Sequence, residues 1–156
     1  MIKLTRIDDR LVHGQVALTW TPSVNADCLL VANDKVAKDE FQKMTFNLAK
    51  PVGAKLLIKS ISDSIAFLND EKNKNFKLLV LINSVKDASD LADNVPEIKS
   101  INFGGIRTKE GARLISKAVA VTDNDIALIK QLAEKGIELE VRQVPTDKKQ
   151  LIETLI

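Results

Sequence analysis

The sequence predicts one α/β domain: an open, twisted, mostly parallel seven-stranded sheet with helices on both faces. Three observations predict it. Short continuous apolar runs alternate with stretches of helical periodicity along the whole chain, the pattern of strands handing over to crossover helices. No Pro/Gly/Ser-rich linker, charge block, low-complexity tract or internal repeat interrupts that alternation. The 156 residues, 45% of them hydrophobic, suffice for one core and leave little room for a second, so residues 1–156 read as a single domain.

The elements follow in order. Ile2 to Ile7 is the first strand, the charged turn Asp8-Asp9-Arg10 follows, and a short helix begins near Gly14 and stops around Trp20, ahead of Pro22. Ala26 to Ala32 is a wholly apolar second strand. Asn33 and Asp34 offer capping oxygens to a helix from Lys35 to Ala49, with Val36, Phe41, Met44, Thr45 and Leu48 on one face and Pro51 ending it. Lys55 to Lys59 is a third strand, after which Ser62 caps a helix that turns Ile65, Ala66 and Leu68 inward and closes at the polar turn Asn69 to Asn75. Leu78 to Ile82, the most apolar run, belongs at the centre of the sheet. Ser84 starts a helix through Leu91, Ile98 to Phe103 is a fifth strand, and Gly104-Gly105 reads as a tight turn. Arg113 to Val121 is predicted as a sixth strand. Thr122-Asp123 opens a helix that Gly136 stops after Lys135, Leu139 to Val144 is a seventh strand, and a last helix starts near Asp147.

Composition excludes several functions. Lys and Arg total 23 against 21 for Asp and Glu, interspersed, and tyrosine is absent, so neither a basic stripe nor an aromatic platform for bases exists. No apolar run approaches the length of a bilayer span. The one cysteine, Cys28, allows no intrachain disulfide and reads as a small buried hydrophobe. With the N-terminal MIKLTRIDDR lacking the apolar core of a signal peptide, a reducing cytoplasm is the expected compartment. The single histidine, His13, excludes every site that needs two imidazoles. No metal site and no cofactor are expected.

Chemistry concentrates after the first strand, because ligands of open parallel sheets bind beyond the carboxyl ends of the strands. The stretch Arg6 to Gln15 holds two arginines, two aspartates and the only imidazole. An imidazole can accept a phosphoryl group covalently, an arginine can bridge phosphoryl oxygens, and the start of a helix offers free N–H groups. His13 is therefore a candidate phosphoryl acceptor, with Arg10 and Arg6 as partners for its charge and Gly14, Gln15 and Val16 as backbone donors; the residues alone equally allow a capping or surface histidine in a charged turn. Asp9 either fixes the tautomer of His13 or orients Arg10. Gly104-Gly105-Ile106-Arg107 lacks both the dinucleotide and the P-loop spacing and reads as a structural turn. Asn33 and Asp34 read as helix caps, Trp20 as packing, and Arg142 as a solvated position at the sheet margin.

Five segments carry a resemblance: RIDDRLVHGQV at Arg6 to Val16 with Trp20, NDKVAKDE at Asn33 to Glu40, AKPVGAK at Ala49 to Lys55, NFGG at Asn102 to Gly105, and LAEKGIELEVRQVP at Leu132 to Pro145. Over essentially its whole length the chain resembles the IIB subunits of the mannose/fructose/sorbose class of the bacterial sugar phosphotransferase system. The resemblance implies strand order 3-2-1-4-5-6-7, with the loops Asp8 to Gly14 and Asn83 to Lys86 flanking one crevice. It implies that His13 carries the phosphoryl group on Nδ1, received from a phosphorylated IIA domain and passed to a sugar bound by the IIC and IID membrane subunits. Arg10 matches the arginine that assists transfer, and Arg6 an accompanying arginine of the phosphate loop. Such a subunit sits in the cytoplasm against the inner face of the membrane, with a homodimer as one possible assembly. The residues alone leave open a non-catalytic module that binds a phosphate-bearing ligand in the same crevice; a nucleotide-binding domain is disfavoured by the missing glycine fingerprint.

Overall fold

The computed structural model describes residues 1–156 as one α/β unit. The strands of its main sheet are β1 (Ile2–Asp8), β2 (Cys28–Ala32), β3 (Lys55–Lys59), β4 (Leu78–Ile82), β5 (Ser100–Gly105), β8 (Glu138–Val141) and β9 (Gln150–Leu151). Their order is β3-β2-β4-β1-β5-β8-β9, parallel except for β9, which runs antiparallel to β8. The expected order is corrected at two places: β4 sits between β2 and β1, and beyond β5 the sheet continues with β8 and the antiparallel β9, the stretch predicted as the sixth strand lying outside it. All five residues of both β2 and β4 are buried, as expected of interior strands whose two faces are both covered by helices.

Alternation along these strands feeds two cores. On one face Ile7, Leu30, Val80, Ile82, Ile101, Phe103 and Leu139 meet α3 (Ile61–Asn69), α4 (Val85–Asn94) and α5 (Asp123–Glu134). On the other, Leu29, Val31, Leu79 and Leu81 meet Val16 and Trp20, with Phe46 and Ala49 of α2 (Glu40–Ala49) packed against them. Four helices begin where a side chain satisfies an orphan N–H: Asp39 for α2, Ser60 for α3, Ser84 for α4, and a reciprocal Thr122–Asp125 capping box for α5. The cap of α3 is thus Ser60 rather than Ser62. Its buried side chains are Ile61, Ser64 and Leu68, with Ile65 partly covered and Ala66 exposed.

Three more expectations are revised. Arg113 to Val121 is not one strand but a hairpin, β6 (Ala112–Leu114) against β7 (Ala120–Thr122), because the Ile115 and Ser116 N–H groups both turn back to the Val119 carbonyl. After the shorter β8 the chain forms β9 and a single 3-10 turn, Ile152–Thr154, where a helix was expected. The region from Lys35 to Ala49 is not one helix: a 3-10 turn Val36–Lys38 breaks at Asp39, whose extended backbone resets the helical phase. Val36 stays buried while Phe41, Met44 and Leu48 are turned to solvent. No helix is long and apolar enough to cross a membrane.

Candidate functional site

The site grows out of the last residues of β1. Ile7 faces one core, so Arg6 and Asp8 share the opposite face, directed towards Trp20. Beyond the strand the loop is pinned by Leu11 and Val12, which are only 3% and 4% exposed, and Leu11 takes the left-handed backbone conformation (φ 55°) rarely seen in residues other than glycine. The burial of Leu11 offsets that strain and leaves Arg10 and His13 on either side of the anchor at the surface. A helix starts at Gly14, runs through a π turn (Val16–Trp20) and continues as α1 (Thr21–Ser23). Pro22 therefore lies inside the helix, not after it: the Thr21 N–H reaches back to Val16, and the change of register accommodates a residue without an N–H.

One carboxylate organises the loop. Asp8, fully buried, receives the His13 Nε2 at 2.9 Å and the Arg6 Nη2 at 3.1 Å on Oδ2. Its Oδ1 accepts the Arg10 backbone N–H at 3.1 Å and lies 3.6 Å from the Arg10 Nε. Burial works to raise the Asp8 carboxyl, but the hydrogen bonds from His13 and the Arg10 backbone and the charges of His13 and Arg6 outweigh it and hold the group below the usual carboxylate range. The His13 side chain is 16% exposed, and its Nδ1 makes no hydrogen bond. Arg10 is 52% exposed beside it.

The expected site residues thus divide. His13 and Arg10 come together at the surface. Asp9 does not touch His13: its Oδ2 accepts the backbone N–H (2.8 Å) and Nε (3.0 Å) of Arg107, so it latches the β1 loop to the chain after β5. The tautomer-fixing contact sought at Asp9 belongs to Asp8, which the sequence reading passed over; the signal available was its place in strand register with Arg6, two residues back. Arg6 is fully enclosed and far from solvent contact. Val16 is buried by its side chain, Gln15 is half-buried and Gly14 exposed, with open space where a Cβ would stand.

Two clefts open on either side of the Asp9–Arg10 turn. One, of about 600 Å³, runs over the β5 end past Gly104, Arg107 and Lys117; the other, of about 520 Å³, runs past Asn33, Phe46 and Asn83. Asn33 and Asp34 act as caps, to the Val36 N–H and the Ile61 N–H respectively. Gly104 is not in a turn but within β5, and Arg142, expected in solvent, binds Glu140 and lies 5.2 Å from the Trp20 ring centre.

This fold and site define an open α/β domain whose sole imidazole stands on the loop after its first strand, beside an exposed arginine. The family model for the sorbose-subfamily IIB component of the PTS, the phosphotransferase system, matches residues 2–156. A "probable phosphotransferase enzyme IIB component" of Streptococcus pyogenes is 48% identical over 106 residues, 68% of this chain and 65% of that protein. The mannose-specific EIIAB component of Escherichia coli K12 is 36% identical over 149 residues, 96% of this chain but 46% of that protein. The chain therefore spans less than two thirds of the length of either relative. The crystal structure of the IIB domain of the Klebsiella pneumoniae sorbose permease superposes with a TM-score of 0.93 at 30% identity, covering 97% of this chain and 93% of that one. The chain belongs to the sorbose-subfamily IIB components of the phosphotransferase system, a family of phosphotransferases.

Proposed function

We propose that this chain is a phosphocarrier in which His13 accepts a phosphoryl group on Nδ1 from a phosphohistidine of a IIA domain and hands it to a sugar held by IIC and IID membrane subunits. The observation that carries this reading is the hydrogen bond of Nε2 with the Asp8 carboxylate, 2.9 Å long. A buried carboxylate can only accept, so Nε2 donates its proton and the lone pair lies on Nδ1, where no hydrogen bond blocks it. In the first step the donor's N–P bond breaks as the Nδ1–P bond of His13 forms, and the Nε2 proton stays in its bond to Asp8. In the second the Nδ1–P bond breaks, a sugar hydroxyl oxygen takes the phosphoryl group, and its proton leaves to the acceptor side.

Arg10 offsets the charge on the phosphoryl oxygens; its tie to the same carboxylate keeps it at a set distance from the ring. Gly14, Gln15 and Val16 supply main-chain N–H groups at the start of the helical segment. Glycine at position 14 is required neither by its backbone conformation nor by packing, which fits a place where donor and acceptor approach closely. A chain without a crossing helix fits a cytoplasmic position at the membrane through IIC and IID.

The test is intact-mass analysis after incubation with phosphoenolpyruvate, enzyme I, the general phosphocarrier protein and a IIA domain. An acid-labile gain of one phosphoryl group is expected, absent in His13→Ala. No gain with several IIA donors, each shown to be phosphorylated, overturns the reading.

A further inference from the structure

Arg6 has no route to a phosphoryl group in this structure. Its guanidinium is fully buried, and the five positions of its fork are nearly all committed: Nη1 donates to the Asn102 Oδ1 (2.7 Å) and the Arg142 carbonyl (3.1 Å), and Nη2 to the Asp8 Oδ2 and the Gln143 carbonyl (both 3.1 Å). Only the Nε–H lacks a partner. The Trp20 ring lies 5.1 Å from the guanidinium carbon, and the Trp20 Nε1–H donates to the same Gln143 carbonyl. A Cβ on Gly104 would stand 2.0 Å from the Arg6 Cζ, so the slot exists because residue 104 is glycine. Asn102 is itself fixed by donating to the Glu140 Oε1 at 2.9 Å.

We propose that Arg6 is a positioning residue for phosphoryl transfer: held in this slot, it keeps Asp8 anionic as the acceptor of the His13 Nε2–H, and so keeps Nδ1 free of a proton. This rests on the phosphocarrier reading of His13. One extra proton decides whether the ring can react. When Asp8 and His13 together hold one proton, it sits on Nε2 and Nδ1 is a nucleophile. When they hold two, Nδ1 is protonated, either as imidazolium beside carboxylate or as imidazole accepting on Nε2 from a carboxylic acid protonated on Oδ2, since Oδ1 is taken up by the Arg10 N–H. In the reactive state His13 is neutral, so the formal charges that oppose uptake of the second proton are those of Arg6 and Arg10. Arg10 is half in solvent and screened, whereas Arg6 is buried at 3.1 Å. The other charged groups about the clamp balance among themselves: Glu140 is paired with Arg142 at the end of β8, and Asp9 with Arg107.

Two readouts test this. The rate of phosphorylation by a phosphorylated IIA domain is followed across pH, and the ring nitrogen-15 shifts of His13, the only histidine, report which nitrogen carries the proton. In Arg6→Met the pH above which the rate reaches its plateau is expected to move up by about one unit or more. The rate on the acid side of the limb then falls by up to about tenfold and recovers in alkali, with a matching alkaline move of the Nδ1 shift. Arg6→Lys keeps the charge and is expected to keep the wild-type limb. Asn102→Ala, which loosens the clamp and leaves the charge, gives a smaller move in the same direction and decides the matter if Arg6→Met does not fold. A folded Arg6→Met with an unmoved limb and unmoved nitrogen shifts overturns the proposal, as does an unmoved Asn102→Ala where Arg6→Met fails to fold. If the wild type takes up no phosphoryl group at all, the phosphocarrier reading fails while the nitrogen shifts still judge the clamp.

Discussion

Asp8 is a carboxylate with no exposed surface that nonetheless stays ionised, because each of its oxygens is claimed by donors: His13 and Arg6 on one, Arg10 on the other. Its folded pKa lies below the ordinary value, so its contribution to stability is in place above the usual carboxylate range and is lost as pH falls through the folded value. Asp8→Asn leaves Arg6 buried without its counter-charge, and urea unfolding near neutrality is expected to show a loss of about 3 kcal/mol. That gap should close as the pH is lowered, since the wild type gives up the same charge. A gap that stays constant into acid contradicts the ionised, depressed carboxylate. The neighbouring Asp9, one residue further along and already in the turn beyond β1, faces Arg107 and becomes a latch.

At the scale of elements, α2 shows how a cap decides a face. Asp39 takes extended backbone (φ −113°, ψ 98°) and accepts the Gln42 N–H, which starts a new helix out of phase with Val36. Phe46 and Ala49 then pack on the second core, and Phe41 and Leu48 stand 72% and 84% exposed. Phe41→Ser and Leu48→Ser are therefore expected to change unfolding free energy by no more than about 0.5 kcal/mol, whereas Asp39→Ala removes a cap and costs about 1 kcal/mol. Chemical denaturation of the three variants checks the order; a larger loss at Phe41 or Leu48 than at Asp39 refutes this placement of the helix. The π turn before Pro22 follows the same logic, since the hydrogen-bond register, not composition alone, decides where a helix tolerates a residue without an N–H.

Across the whole molecule, Cys28 reports on the sheet. It is fully buried in β2 between β3 and β4, and burial pushes its thiol up to about 11. Both facts make its reaction with a disulfide reagent wait for opening of the central strands. Labelling at neutral pH is expected to be slow in buffer and to accelerate with denaturant along the same curve as global unfolding measured by circular dichroism. Labelling that runs ahead of global unfolding shows instead that the β3 edge opens by itself. The arrangement also explains why the site tolerates strain at Leu11: it is attached to β1, which is held between β4 and β5 near the centre of the sheet.

The run Arg6 to Gln15 could be read as the candidate site because its residue types and its place after a strand are local properties, and the cores of β1 to β5 could be read because apolar runs are local too. The pairings of β4 with β2 and of β1 with β5 could not, since neighbours in a parallel sheet are chosen by burial on both faces of distant segments. Nor could the hairpin from Ala112 to Thr122, whose alternation is that of a single strand until the Val119 carbonyl folds it back. The roles of Arg6 and Arg142 were hidden for a similar reason: only the tertiary fold brings the Asn102 Oδ1, the Asp8 carboxylate and the Arg142 and Gln143 carbonyls to Arg6, and the Glu140 carboxylate to Arg142, in place of water. The sequence by itself determined that two arginines, two aspartates and the only histidine share one stretch at the end of the first strand. The tertiary structure decided which of two adjacent aspartates faces the histidine and which of two arginines meets solvent, because those choices depend on strand phase and on partners about a hundred residues away.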